Sequence, residues 1–145
     1  ADILAEVAGF AMTSDAADIV TPSKSGAARS MRLALKDAAL NPEDVGYINA
    51  HGTGTMANDK TESAAILDVF GQHAERLMVS STKSMHGHLI GATGAVELLA
   101  AIMALRDGVI APTIGYQIPD PDCPLDVVPN TARYATVRAV LSNAF

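Results

Sequence analysis

The chain has 145 residues, 49% of them hydrophobic, which is enough for one domain with a real core. Its formal net charge is −6 and its ten Lys and Arg are scattered, so no basic stripe for nucleic acid is present. A single cysteine, Cys123, excludes an internal disulfide framework. No apolar run reaches the roughly 18–20 residues of a membrane span, and no basic flank marks a signal peptide, so the expected setting is cytoplasmic.

With no Trp and only 4% aromatic residues, the interior must be built from Ala, Val, Leu, Ile and Met. Residues 3–12 read as a strand, and Thr13-Ser-Asp-Ala as a loop. Pro22-Ser-Lys-Ser is a turn with hydroxyl caps that opens a helix over 25–39, with Ala28, Met31, Leu35 and Ala38 at helical spacing. Asn41-Pro-Glu-Asp suits a capped turn. Residues 45–50 form an apolar run that reads as a buried strand, and it ends at His51-Gly-Thr-Gly-Thr.

Asn58 is expected to cap a helix running to Phe70, with Asp59 and Glu62 favoured by the dipole of its first turns and Gly71 just past its end. Residues 77–81 are the next short strand. A glycine-rich loop through Gly87, Gly91 and Gly94 leads into a helix over 95–107, closed by Gly108. That helix is apolar on nearly every face and should be sandwiched between layers. Residues 112–130 carry five of the seven prolines and read as a long ordered connection, before a final strand over 137–145. Strand–helix alternation gives an α/β architecture with a largely parallel or mixed sheet. Both ends lie inside strand-like sequence, which reads as a fragment of something larger.

Three polar groups follow buried strands: His51, Lys83 and His88. In α/β sheets ligands gather at the carboxyl ends of strands, so these groups are candidates for one site. A satisfied turn histidine, a solvated loop lysine and a loop-capping histidine are the plain structural alternatives. If Lys83 is buried it needs a counter-charge, and Glu97, a lone acid on the apolar helix, is the natural one. His73 and His86 read as surface histidines. The glycines from 87 to 94 match neither a phosphate loop nor a dinucleotide fingerprint. His86-x-His88 with His51 lacks a nearby cysteine or acid to complete a zinc shell, so no metal is expected. Cys123, in Asp-Pro-Asp-Cys-Pro, has no helix N-terminus to lower its pKa and reads as structural.

Asn49-Ala-His-Gly-Thr-Gly-Thr55, Ser80-Ser-Thr-Lys-Ser-Met-His-Gly-His-Leu-Ile-Gly-Ala-Thr-Gly-Ala-Val-Glu97 and Leu141-Ser-Asn-Ala-Phe145 together resemble the C-terminal half of a β-ketoacyl-[acyl-carrier-protein] synthase. The elongating type, nodulation ketosynthases included, is the nearest, and the likeness covers the whole chain from Ile3 to Phe145. It implies a thiolase-like fold of two α/β halves, mostly parallel sheet with helices on both faces, of which residues 1–145 are the second.

In such enzymes malonyl-carrier protein is decarboxylated, and its carbanion attacks an acyl group held on a cysteine. The resemblance assigns His51 and His88 to the two histidines, Lys83 to the lysine, Glu97 to its acid and Phe145 to the gating phenylalanine. It assigns Thr53 and Thr55 to the hydroxyls that hold pantetheine. No cofactor of its own is implied, since phosphopantetheine arrives on the acyl carrier protein, the expected partner; acyl and malonyl thioesters are the substrates and a homodimer is expected. Cys123 does not match the nucleophile, which the family carries in its N-terminal half, so residues 1–145 alone should not condense anything. Two rival readings remain: a non-catalytic, chain-length-factor-like partner, and an unrelated zinc hydrolase.

Overall fold

The computed structural model describes residues 1–145. Its centre is a three-stranded parallel sheet in the order β2–β1–β5, from β1 (Val45–Asn49), β2 (Met78–Ser80) and β5 (Ala139–Ser142). The registers Asn49↔Ser80 and Asn49↔Ser142 bring the three carboxyl ends level. The segments that carry His51, Lys83 and Phe145 therefore leave the sheet side by side.

Helices cover both faces. On one, α1 (Lys24–Asp37) and α2 (Met56–Phe70) pack together over Val45, Ile48, Leu77 and Val79, through Ala28, Met31, Leu35, Ile66 and Phe70. Met31, Ala28 and Leu35 fall three or four residues apart, so one stripe of α1 is buried while its charged face stays wet. Ser23 caps α1, its hydroxyl accepting the Gly26 amide at 3.2 Å. On the other face, α4 (Thr93–Asp107) brings Ala104 against Tyr47, Ile110, Val128 and Val137. Gly108, at φ +65°, ends α4 in the left-handed region. Between β2 and α4 lies α3 (Lys83–His86), a single helical turn. The connection over 112–130 is ordered as expected: Thr113 bridges to Pro129, Met78 to Asp126, and the Asn130 side chain holds the Tyr116 backbone in both directions.

Several elements depart from the sequence reading. Residues 3–12 form no strand, because a strand exists only through a ladder partner and none runs beside them. They run extended along α1 instead: the Phe10 amide donates to Asp37 Oδ2 at 3.0 Å, and Gly9 lies so close that a Cβ there would stand 2.5 Å from the Ala34 carbonyl. The final strand is limited to β5, and α2 begins two residues before Asn58, with Thr55 at its N-cap position. A two-stranded antiparallel ladder of β3 (Val109–Ile110) and β4 (Arg133–Tyr134) is too short to show as a sequence pattern.

The expectation that the apolar helix is sandwiched also fails. Only Thr93, Glu97, Ala101 and Ala104 of α4 are buried; Leu98, Leu99 and Met103 are exposed, as are Val7 and Phe10 at the start of the chain. An apolar helix in water without a cover is an association surface. Sedimentation of the isolated 145-residue polypeptide is expected to show dimers or larger species; a single monomer boundary at micromolar concentration would contradict this.

Candidate active site

β1 hands over to a loop that must turn sharply over Ser81. Gly52 sits at φ +44°, and a Cβ there would lie 2.5 Å from Ser81 Cβ, so only glycine fits. The loop is fastened from below by Glu62 of α2. Its Oε1 accepts the His51 amide and its Oε2 the Gly52 amide, both at 2.9 Å, while Asn143 Nδ2 donates to Oε1 at 3.0 Å. Glu62 is buried, and burial pushes its carboxyl up against these four donors, Asn58 included. Glu62 is thus no surface acid at a helix N-terminus but the anchor of the His51 loop, joining α2, the loop and the end of β5. An acid on the i+4 side of Asn58 in a small-residue helix was the only signal for it.

His51 is 6% exposed and Lys83 7% exposed. His51 Nδ1 accepts the Phe145 amide at 3.3 Å. An amide can only donate, so Nδ1 is bare and the proton sits on Nε2. Desolvation, then the charge of Lys83, then His88 push the His51 pKa down to about 4, so the ring is neutral at pH 7.

His88 lies across from it, ring centroids 5.3 Å apart and planes at 86°. Its Nδ1 accepts the Ile90 amide at 3.1 Å and lies 3.1 Å from the Thr93 hydroxyl, which itself accepts the Leu89 amide. By the same reasoning His88 carries its proton on Nε2. Both rings thus keep an Nε2–H as a donor. Thr93, which sequence reasoning passed over, orients His88 as the Phe145 amide orients His51.

Below them Lys83 and Glu97 form an ion pair with side chains 4% and 0% exposed. Burial pushes the Glu97 carboxyl up, and Lys83 pulls it back. Phe145 packs on His51 at 5.2 Å between ring centroids. The Thr53 and Thr55 hydroxyls bond each other at 3.0 Å and line, with His51 and Phe145, a groove of about 1780 Å³ that runs beneath residues 4–23 and along β5. The structure therefore gathers His51, Lys83, His88, Glu97, Phe145, Thr53 and Thr55 in one place.

The other two histidines are not the surface residues expected. His73 is half-buried and its Nε2 donates to the Val45 carbonyl at 2.8 Å, closing the start of β1. His86 is half-buried against Thr82. Cys123 sits beside Asp120, with Sγ 3.9 Å from Oδ2; burial and the Asp120 and Asp59 charges push its thiol up to about 11, the reverse of an activated nucleophile.

The His51 shift makes stability pH-dependent. Above pH 6.5 the ring is neutral in both folded and unfolded chains. Between 6.5 and about 4 only the unfolded chain takes up the proton, so this contribution is complete above 6.5 and is lost as pH falls. The loss amounts to about 3 kcal/mol at most. Unfolding curves at pH 7 and pH 4.5 are expected to show a smaller acid loss in His51→Asn than in the wild type; equal losses would contradict the neutral, buried state.

Comparison with known proteins identifies the family. The family described as "Beta-ketoacyl synthase, C-terminal domain" matches residues 4–117. Nodulation protein E of Rhizobium sp. (strain N33) is 54% identical over 145 residues, covering 100% of this chain and 36% of its own length. 3-Oxoacyl-[acyl-carrier-protein] synthase 2 of Synechocystis sp. is 50% identical, covering 100% and 35%. Among solved structures, a type II polyketide synthase acyl-carrier protein in complex with its ketosynthase matches with TM-score 0.94 and 40% identity, over 98% of this chain and 35% of that one. The chain spans about a third of the length of the curated relatives it matches. Its mixed α/β fold with a parallel sheet corresponds to the C-terminal half of the thiolase-like ketosynthase fold. By these matches the chain belongs to the β-ketoacyl synthase C-terminal domain family.

Proposed function

We propose that this domain supplies the two histidines and the lysine of a β-ketoacyl-[acyl-carrier-protein] synthase that condenses malonyl-carrier protein with an acyl thioester. The observation that carries this reading is the facing pair His51 and His88, each with its Nδ1 accepting a backbone amide, which leaves the proton on Nε2.

In decarboxylation the C–C bond of the malonyl group breaks, CO₂ leaves, and the electron pair moves onto the thioester oxygen as an enolate. Two neutral N–H donors aimed at that oxygen stabilise the charge as it develops and need no proton transfer of their own. The enolate carbon then attacks the acyl thioester carbonyl, and the thiolate of the acyl-bearing cysteine departs. That cysteine belongs to the two-thirds of the relatives' length that this chain does not span. Burial first, and then the charge of Lys83 paired with Glu97, keep the His51 ring neutral. Thr53 and Thr55 edge the groove and suit the amide-bearing pantetheine arm of an acyl carrier protein. Phe145 covers His51 where the acyl chain would enter.

The test compares two polypeptides given malonyl- and acyl-carrier protein. A full-length protein containing this domain is expected to release CO₂ and form the ketoacyl product, and the 145-residue polypeptide alone to do neither. An inactive full-length protein that still binds carrier protein would favour the non-catalytic partner, and product from the isolated domain would refute the division of labour.

A further inference from the structure

We propose that His86 is a positioning residue for His88, acting through a connected set of hydrogen bonds from the end of β1 to the Gly87–His88 peptide. His86 Nδ1 lies 2.7 Å from the Gly87 carbonyl, which can only accept, so Nδ1 carries the proton. Its Nε2 lies 3.1 Å from the Thr82 hydroxyl. Thr82 in turn is tied to the Asn49 amide, accepting from Nδ2 at 3.1 Å and lying 3.3 Å from Oδ1. Hydrogen bonds thus link Asn49, Thr82, His86 and Gly87 in one connected set. Asn49 and Thr82 are 0% and 2% exposed, so the chain begins in the rigid end of the sheet.

The end of that chain is what matters. The Gly87 carbonyl and the His88 N–H belong to one planar peptide, so fixing the oxygen fixes the plane from which His88 hangs. Gly87, at φ +77°, resists rotation poorly by itself. Little else restrains it: between the buried residues Lys83 and Thr93, every residue is exposed except His86. The helical turn of α3 has only four residues, and the Gly87 amide closes it on the Lys83 carbonyl at 2.8 Å. Thr93 and the Ile90 amide hold the ring of His88; His86 holds its backbone.

The inference rests on the reading of His88 as an enolate-stabilising donor, and the experiment separates the two. In the full-length protein, His86→Ala is expected to lower kcat for malonyl decarboxylation about 10-fold while KM changes less than about 2-fold, because a misplaced donor weakens the transition state more than binding. His86→Asn, whose side-chain amide can reach the Gly87 carbonyl, is expected to recover most of the rate. Thr82→Val added to His86→Ala should cost no more than His86→Ala alone, since both cut the same chain. Wild-type kcat in His86→Ala, or no recovery in His86→Asn, would overturn the proposal. Nitrogen-15 histidine spectra give a readout apart from activity: the His88 ring signals are expected to shift or broaden in His86→Ala. If they stay unchanged, the positioning role is wrong even when the enzyme is active. If the wild-type protein fails to decarboxylate malonyl-carrier protein, the functional reading falls, and the spectra alone decide whether His86 orients His88.

Discussion

Replacing His51 by alanine in the full-length protein is expected to reduce malonyl decarboxylation by about 10²–10³-fold, the usual cost of removing one preorganised donor to a developing oxyanion. The ring is built for donation. Its Nδ1 is tied to the Phe145 amide, its pKa lies near 4, and its own amide is clamped by Glu62. Acyl transfer to the cysteine does not create the same enolate and should suffer much less, so the ratio of the two rates is the decisive measurement. A His51→Ala enzyme that decarboxylates at the wild-type rate would remove the central element of the proposed mechanism. His88→Ala should behave alike, and the double variant should lose less than the product of the two, since both donors serve one oxygen.

Replacing Glu97 by alanine is expected to destabilise the protein by about 3–5 kcal/mol, because it strands a buried ammonium without its partner. Lys83 has a side chain only 4% exposed and touches the Glu97 carboxylate directly. The effect should appear as a lower urea midpoint at unchanged slope. Replacing both residues together, Lys83→Met with Glu97→Leu, should restore most of the stability while leaving catalysis impaired. This separates the structural cost from the electrostatic role beside His51. A Glu97→Ala protein with an unaltered midpoint would show that Lys83 finds water or another acceptor.

Local chemistry was legible from the sequence wherever a single turn decides the conformation. Ser23 as a cap, the Asn41-Pro42 turn, Gly108 closing α4 and the two strands that flank the site all follow from propensities acting over a few residues. The pairing of Lys83 with Glu97 was legible as well, because a lone acid on an apolar helix and a lysine among small residues each lack any other explanation for burial.

What depends on distant neighbours was not legible. Residues 3–12 have the composition of a strand, yet composition supplies no ladder partner, and they lie along α1 instead. The apolar surface of α4 promises burial on every side, but burial is a property of whatever packs against it, and within this chain only one stripe is covered. Glu62 reads as an ordinary helix-start acid until the fold turns the His51 loop back over it. The same holds for the proton on each histidine. The sequence by itself singled out His51, Lys83 and His88 as the candidate groups; only the tertiary structure decided which nitrogen of each histidine ring carries the proton, because that choice is made by the Phe145 and Ile90 amides that folding places against Nδ1.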